Sequence, residues 1–184
     1  MKILAISGSL RAASLNSLLL RAVARLAPPT MRVELYRDLG TLPLFNPDLE
    51  TSDPESVATL RARLNAAEAV IIGSPEYAHG VSAAMKNALD WMVGNESLVN
   101  KPVALFNTSP RATHAQAALR ETLQTMSARV IDEACIAVPL LGSGLSEDGV
   151  VSHPEIRTAV AIALSALEQA VLTGTQKGAA FQID

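Results

Sequence analysis

The chain has one cysteine, Cys135, in 184 residues, which excludes an internal disulfide. Cys135 lies in the apolar run Ala134–Val138, where a small buried thiol is expected. Aromatic residues make up only 3% of the sequence, which favours packed layers of helix and strand over an aromatic nucleic-acid surface. Basic charge is not in excess either. A net charge of -3 supplies no field to draw phosphate backbones or anionic lipid, so no nucleic-acid partner is expected. No uninterrupted apolar run reaches the roughly 18 residues of a membrane span, and no membrane partner is expected. The apolar start breaks at Ser7-Gly8-Ser9 with Arg11 beyond, too early for a signal peptide. A cytoplasmic protein is expected. His79, His114 and His153 stand on separate loops without metal-ligand spacing, and no metal site is expected.

What the chain does have is alternation of apolar runs with helical patterns. Lys2–Ser7 is a short apolar run closed by Gly8 and reads as a strand. Ser14–Leu26 places apolar residues at helical spacing and ends at Pro28-Pro29. Met31–Tyr36 alternates as a strand with one drier face. A proline-punctuated loop, Gly40–Asp53, precedes a helix to about Ala66, with Ser52 and Glu55 at capping-box spacing. Ala69–Gly73 is wholly apolar up to its last glycine, as a central parallel strand should be. Val81–Val93 reads as helix, Pro102–Asn107 as strand, Thr113–Ala128 as helix and Val130–Pro139 as a less regular fifth strand. Gly142–Val151 reads as loop. Ser152 and Glu155 repeat the capping-box spacing ahead of a last helix to about Leu172, and Thr173–Asp184 is expected to be a flexible or assembly tail.

Such strict alternation with short connections predicts one α/β domain over residues 1–184, a doubly wound parallel sheet covered by helices on both faces. Ligands of such sheets bind beyond the carboxyl ends of the strands, near the switch in strand order. That points to Gly8–Ser17, Pro75–Ser82 and Thr108–His114.

The first of these opens a helix, whose free N–H groups and positive dipole end suit a phosphate. Ser9, Ser14, Asn16 and Ser17 add neutral donors and Arg11 a charged fork, a set suited to a terminal monophosphate. The fingerprints G-x-x-x-x-G-K-[ST] and G-x-G-x-x-G are both absent, and β-strand two ends Leu35-Tyr36-Arg37 with no acid placed for a ribose. Nor is there a G-x-S-x-G elbow. Residue chemistry leaves two readings open: a phosphate turn, or a polar turn capped by Ser14. In the second segment, Pro75 and Gly80 shape the loop and Tyr77 offers an aromatic body with a polar tip.

Gly8-Ser9-Leu10-Arg11-x-x-Ser14-x-Asn16, followed by Pro75-Glu76-Tyr77 and Lys86-Asn87-Ala88-Leu89-Asp90-Trp91, resembles the NADPH-dependent FMN reductase family, with chromate, quinone and azo-dye reductases. The resemblance implies a flavodoxin-like five-stranded sheet in the order 2-1-3-4-5. It implies that Ser9, Arg11, Ser14, Asn16 and Ser17 hold the phosphate of bound FMN. Pro75, Glu76, Tyr77 and Ala78 would lie against the isoalloxazine, with Ser109 and Arg111 near its pyrimidine edge. A cation there would favour reduced anionic flavin or attract a phosphate of NADPH. The implied activity is a ping-pong transfer of two electrons from NADPH or NADH, through flavin N5, to a flavin, quinone or similar small acceptor. The competing reading is a flavodoxin-type electron carrier or a flavin-bound sensor, although such carriers tend to be more acidic. The resemblance also implies a homodimer or homotetramer with the flavin near the interface and Lys86–Trp91 near a subunit contact. The chain departs from the family pattern at Ala78–Ser82 and at Ser109–His114.

Overall fold

In the computed structural model, which describes residues 1–180 and side chains through residue 174, the expected alternation becomes a three-layer sandwich. Strands β1 (Lys2–Ser7), β2 (Arg32–Tyr36), β3 (Ala69–Gly73) and β6 (Pro102–Asn107) are parallel. The sheet order is β2-β1-β3-β6-β7, with β7 (Arg129–Val130) and β8 (Ile136–Ala137) both paired in parallel to β6. Counting β7 and β8 as one interrupted strand, this is the expected order 2-1-3-4-5. A separate antiparallel hairpin is made by β4 (Glu76–Tyr77) and β5 (Gly80–Val81).

Side-chain alternation sends β1 into two cores. Leu4 and Ile6 pack with Val57, Leu60, Leu64, Met85 and Leu119, beneath α2 (Glu55–Ala66), α3 (Ala83–Met92) and α4 (Thr113–Thr125). Ile3 and Ala5 pack with Leu19, Leu20, Val23, Val150, Val160 and Leu164, beneath α1 (Leu15–Leu26), α5 (Glu147–Ser152) and α6 (Pro154–Ala180). Burying the central strands on both faces is why β3 reads as an uninterrupted apolar run.

Several local expectations are corrected. Neither capping box forms. Ser52 closes a 3₁₀ turn and donates to Leu49 O, Asp53 turns left-handed at φ 43°, and Pro54 starts α2. The Ser152 hydroxyl donates back to Asp148 O inside α5, a helix that takes up the second half of the expected Gly142–Val151 loop and ends on Ser152, and α6 begins on Pro154. Val81 belongs to the hairpin, and α3 starts after its cap Ser82. The fifth strand is interrupted by a 3₁₀ turn at Asp132–Ala134. There Cys135 is half-buried rather than buried; its thiol accepts the Leu105 N–H at 3.3 Å and donates to Ile131 O at 3.3 Å. Burial pushes its pKa up. The last helix passes Leu172 and continues through Ala180, while residues 181–184 of the expected tail lie outside the described residues. By length and composition Pro154–Gly174 could cross a membrane. Its Val160, Ala163, Leu164 and Leu167 stripe is instead buried against the sheet.

Candidate active site

The carboxyl ends of β1, β3 and β6 converge on one cleft of about 320 Å³. Its walls include Ser9, Arg11, Ser14, Asn16, Pro75, Glu76, Tyr77, Ser109 and Arg111, so nine of the eleven expected residues come together. Ser17 and Ala78 do not line it. Ser17 turns away and donates to Ser7 Oγ at 2.8 Å, and Ala78 sits exposed in the hairpin turn.

Gly8 stands between Ser9 and Ser74, both of which line the cleft, in a closely packed turn. A Cβ there would lie 2.6 Å from Ser74 Oγ and 2.9 Å from Ser82 Oγ, both buried hydroxyls. Ser82 donates to Gly8 O at 2.6 Å while accepting the Met85 N–H at 3.3 Å, so one hydroxyl ties the first loop to the start of α3. With no side chain at Gly8, the turn enters α1 close beside β3. Ser14 caps that helix, accepting from Ser17 N–H at 3.2 Å. The backbone N–H groups of Leu15 and Asn16 have no partner among the described residues, and the first turn of α1 contains no acid. Asn16 is only 6% exposed; its Oδ1 accepts from Thr108 Oγ1 at 3.2 Å, which leaves its amide N–H groups as donors. Arg11 is exposed and forms no ion pair among the described residues.

The opposite wall is the β4–β5 hairpin. Its two turn residues, Ala78 and His79, have φ of 48° and 60°, where the favoured primed turn normally takes Asn-Gly. Each left-handed non-glycine residue costs about 1–2 kcal/mol. Two contacts with α4 hold the hairpin in place. Glu76 Oε2 accepts the Ala115 N–H at 2.8 Å, capping a helix whose own cap position, Ala112, offers no side-chain bond. His79 stacks on His114 with ring centroids 4.2 Å apart and planes within 6°. Tyr77 is left 59% exposed at the cleft mouth. At the third loop, Asn107 Oδ1 accepts the Ser109 N–H at 2.9 Å and fixes the turn that carries Arg111.

Ser74, Asn107, Thr108 and Leu141 also line the cleft, and of these only Thr108 lay in a segment that the sequence pointed to. The first three directly follow or end a buried strand, and that position was the available signal. Sequence reasoning missed the clamp at Pro43, whose carbonyl accepts from Asn87 Nδ2 at 2.9 Å and from Trp91 Nε1 at 2.8 Å. Trp91 is core, edge-on to Phe45. Among the described residues there is no cluster of three potential metal ligands.

An anion-ready turn facing an aromatic-tipped hairpin across a switch point suits a flat phosphorylated cofactor. The sequence signature of the NADPH-dependent FMN reductases matches residues 1–140. The chain belongs to that family. An NAD(P)H-dependent FMN reductase of Pseudomonas aeruginosa is 30% identical over 173 residues, covering 91% of this chain and 93% of that protein. A quinone reductase of Escherichia coli K12 is 29% identical over 140 residues, covering 72% of this chain and 74% of the relative. Among solved structures, a flavoenzyme NAD(P)H:(acceptor) oxidoreductase from Paracoccus denitrificans superposes with a TM-score of 0.76 at 28% identity, covering 92% of this chain and 98% of its own. The family is one of oxidoreductases that use FMN with NAD(P)H, and the flavodoxin-like order of the sheet agrees with it.

Proposed function

We propose that the cleft holds FMN and that the protein is an NAD(P)H-dependent reductase of quinones, flavins or similar small acceptors. The observation that carries the reading is the donor set at the start of α1. Unpaired Leu15 and Asn16 N–H groups, the Asn16 amide, the Ser9 and Ser14 hydroxyls and unpaired Arg11 line one wall with no acid in the helix's first turn. That set fits a phosphate monoester, which needs several donors and one charge.

Pro75, Glu76 and Tyr77 would face one side of the isoalloxazine, with Ser109 and Arg111 towards its pyrimidine edge. Glu76 acts mainly through its bond to Ala115, which keeps the hairpin and α4 in register. Ser17 supports the turn through Ser7 rather than through the ligand. Ala78 serves through the hairpin path.

Bound FMN would supply the redox chemistry, taking two electrons as hydride at N5 from NAD(P)H and passing them to the acceptor. The protein's part is to hold the phosphate, wall the ring and place a fixed positive charge, Arg111, beside it. A reacting face shared by donor and acceptor in this cleft favours their binding in turn, one leaving before the other enters. Initial rates varied over both substrates should therefore give parallel reciprocal lines, and intersecting lines would contradict the shared-site scheme. The net charge of -3 provides weak steering for a protein redox partner, which favours the reductase over the electron carrier. A cytoplasmic homodimer or homotetramer with flavin near the subunit boundary is part of the same reading.

A further inference from the structure

A second cleft, of about 460 Å³, opens on the other side of the Gly8–Ser14 turn, between that turn and the segment after β2. It shares Ser9 and Arg11 with the first, and adds Ser7, Ser17, Arg21 and Arg37. No acid lines it. Arg21 is held at the wall by Glu147 at 2.7 Å, whereas Arg11 and Arg37 are exposed and form no ion pair among the described residues. Asp38, beside Arg37, is not part of the lining.

The hydroxyls are also arranged as donors. Ser7 Oγ accepts from Ser17 Oγ at 2.8 Å and from Ser9 N–H at 3.3 Å, so its own proton has no acceptor among the described residues. Leu10 lies over Gly40, where a Cβ would meet its Cδ2 at 3.2 Å, and with Leu35 and Leu39 it gives the cleft an apolar side. An apolar wall beside the unpaired Arg37 guanidinium and a spare hydroxyl, with Arg11 shared at the boundary with the first cleft, is the chemistry of a phosphorylated nucleoside site.

We propose that this second cleft binds the adenosine 2′-phosphate of NADPH, with Arg37 as the residue that selects NADPH over NADH. The inference rests on the NAD(P)H-dependent reading of the first cleft. FMN carries one phosphate, which the donors at the start of α1 accommodate. The co-substrate that differs from NADH only by a phosphate monoester accounts for a second cationic cleft with no acid to meet a free ribose hydroxyl.

The test uses the flavin-loaded enzyme and its Arg37→Gln variant. The ratio of kcat/KM for NADPH to that for NADH should fall about ten- to hundredfold, the range spanned by a charge-assisted bond to a phosphate. Adenosine 2′,5′-bisphosphate should bind wild type at least tenfold more tightly than adenosine 5′-monophosphate by calorimetry, and Arg37→Gln should erase that difference. A ratio unchanged within twofold, or equal binding of the two nucleotides, overturns the proposal. So does inorganic phosphate competing as well as the bisphosphate, because it reduces the cleft to a general anion site. Flavin content is read separately. Wild type that takes up no FMN contradicts the reading of the first cleft, while the calorimetric comparison still decides the second.

Discussion

Replacing Gly8 with alanine tests whether the turn between β1 and α1 is held by close packing. The new methyl would have to enter space in which Ser74 Oγ lies at 2.6 Å, Ser82 Oγ at 2.9 Å and Ser74 Cβ at 3.0 Å. Neither serine can swing into solvent, since they are 1% and 2% exposed. Ser82 is further held by its bonds to Gly8 O and from Met85 N–H. Forcing a methylene-sized group into a packed site costs about 1–3 kcal/mol, and losing the α3 cap adds about 1 kcal/mol. The variant should therefore lose about 2–4 kcal/mol, a fall in Tm of about 4–16 °C for a chain of this size. Urea denaturation followed by circular dichroism measures it, with Ser82→Ala and the double variant completing a cycle. Ser82→Ala removes one of the two obstructing oxygens, so the double variant should lose less than the sum of the singles. A Gly8→Ala protein within 0.5 kcal/mol of wild type, which is the ordinary scatter of a surface change, would refute the packing argument.

Arg11→Gln should weaken FMN binding about tenfold or more, because a neutral amide replaces the one charged donor at the phosphate wall; flavin fluorescence on titrating the apoprotein reads it, and unchanged affinity would remove Arg11 from the site. Glu147 joins α5 to α1, and its hydrogen bond from Arg21, with further help from Arg25, holds its pKa below the ordinary carboxylate range. A depressed folded pKa gives stability that is full above the unfolded value and lost as pH falls through the folded one. Wild type should thus exceed Glu147→Gln in urea midpoint near neutrality, and the gap should close on acidification below about pH 4. A gap that stays constant there would contradict the pairing. The magnitude should be small, since both partners are partly exposed.

The sheet was legible because burial on both faces writes β3 and β6 as plain apolar runs, and Pro28, Pro75 and Pro102 punctuate the elements. The phosphate turn was legible as an anion site for a similar reason: Ser14 is a good cap and the helix that follows has no acid in its first turn. The hairpin was not legible, since Ala78-His79 lacks the Asn-Gly signal and its left-handed turn is held by contacts to His114 and Ala115 far along the chain. The broken fifth strand was hidden because Cys135 supplies, from a side chain, the hydrogen bonds that a continuous strand would have made with its backbone. Both false capping boxes sat beside prolines, and in each case the proline marked the helix start more reliably than the serine spacing. The second cleft left only one trace in the sequence, an Arg where a ribose-binding acid was sought at the end of β2.

That the cleft between the Gly8–Asn16 turn and the hairpin makes this chain a flavin-dependent NAD(P)H:acceptor oxidoreductase is tested most directly by anaerobic titration. The purified protein, loaded with one FMN per chain, is mixed with NADPH while the visible flavin absorbance is followed. Rapid bleaching by one equivalent and recovery of the colour when a quinone is added are expected. Flavin that binds but stays oxidised in the presence of both NADPH and NADH would contradict that assignment.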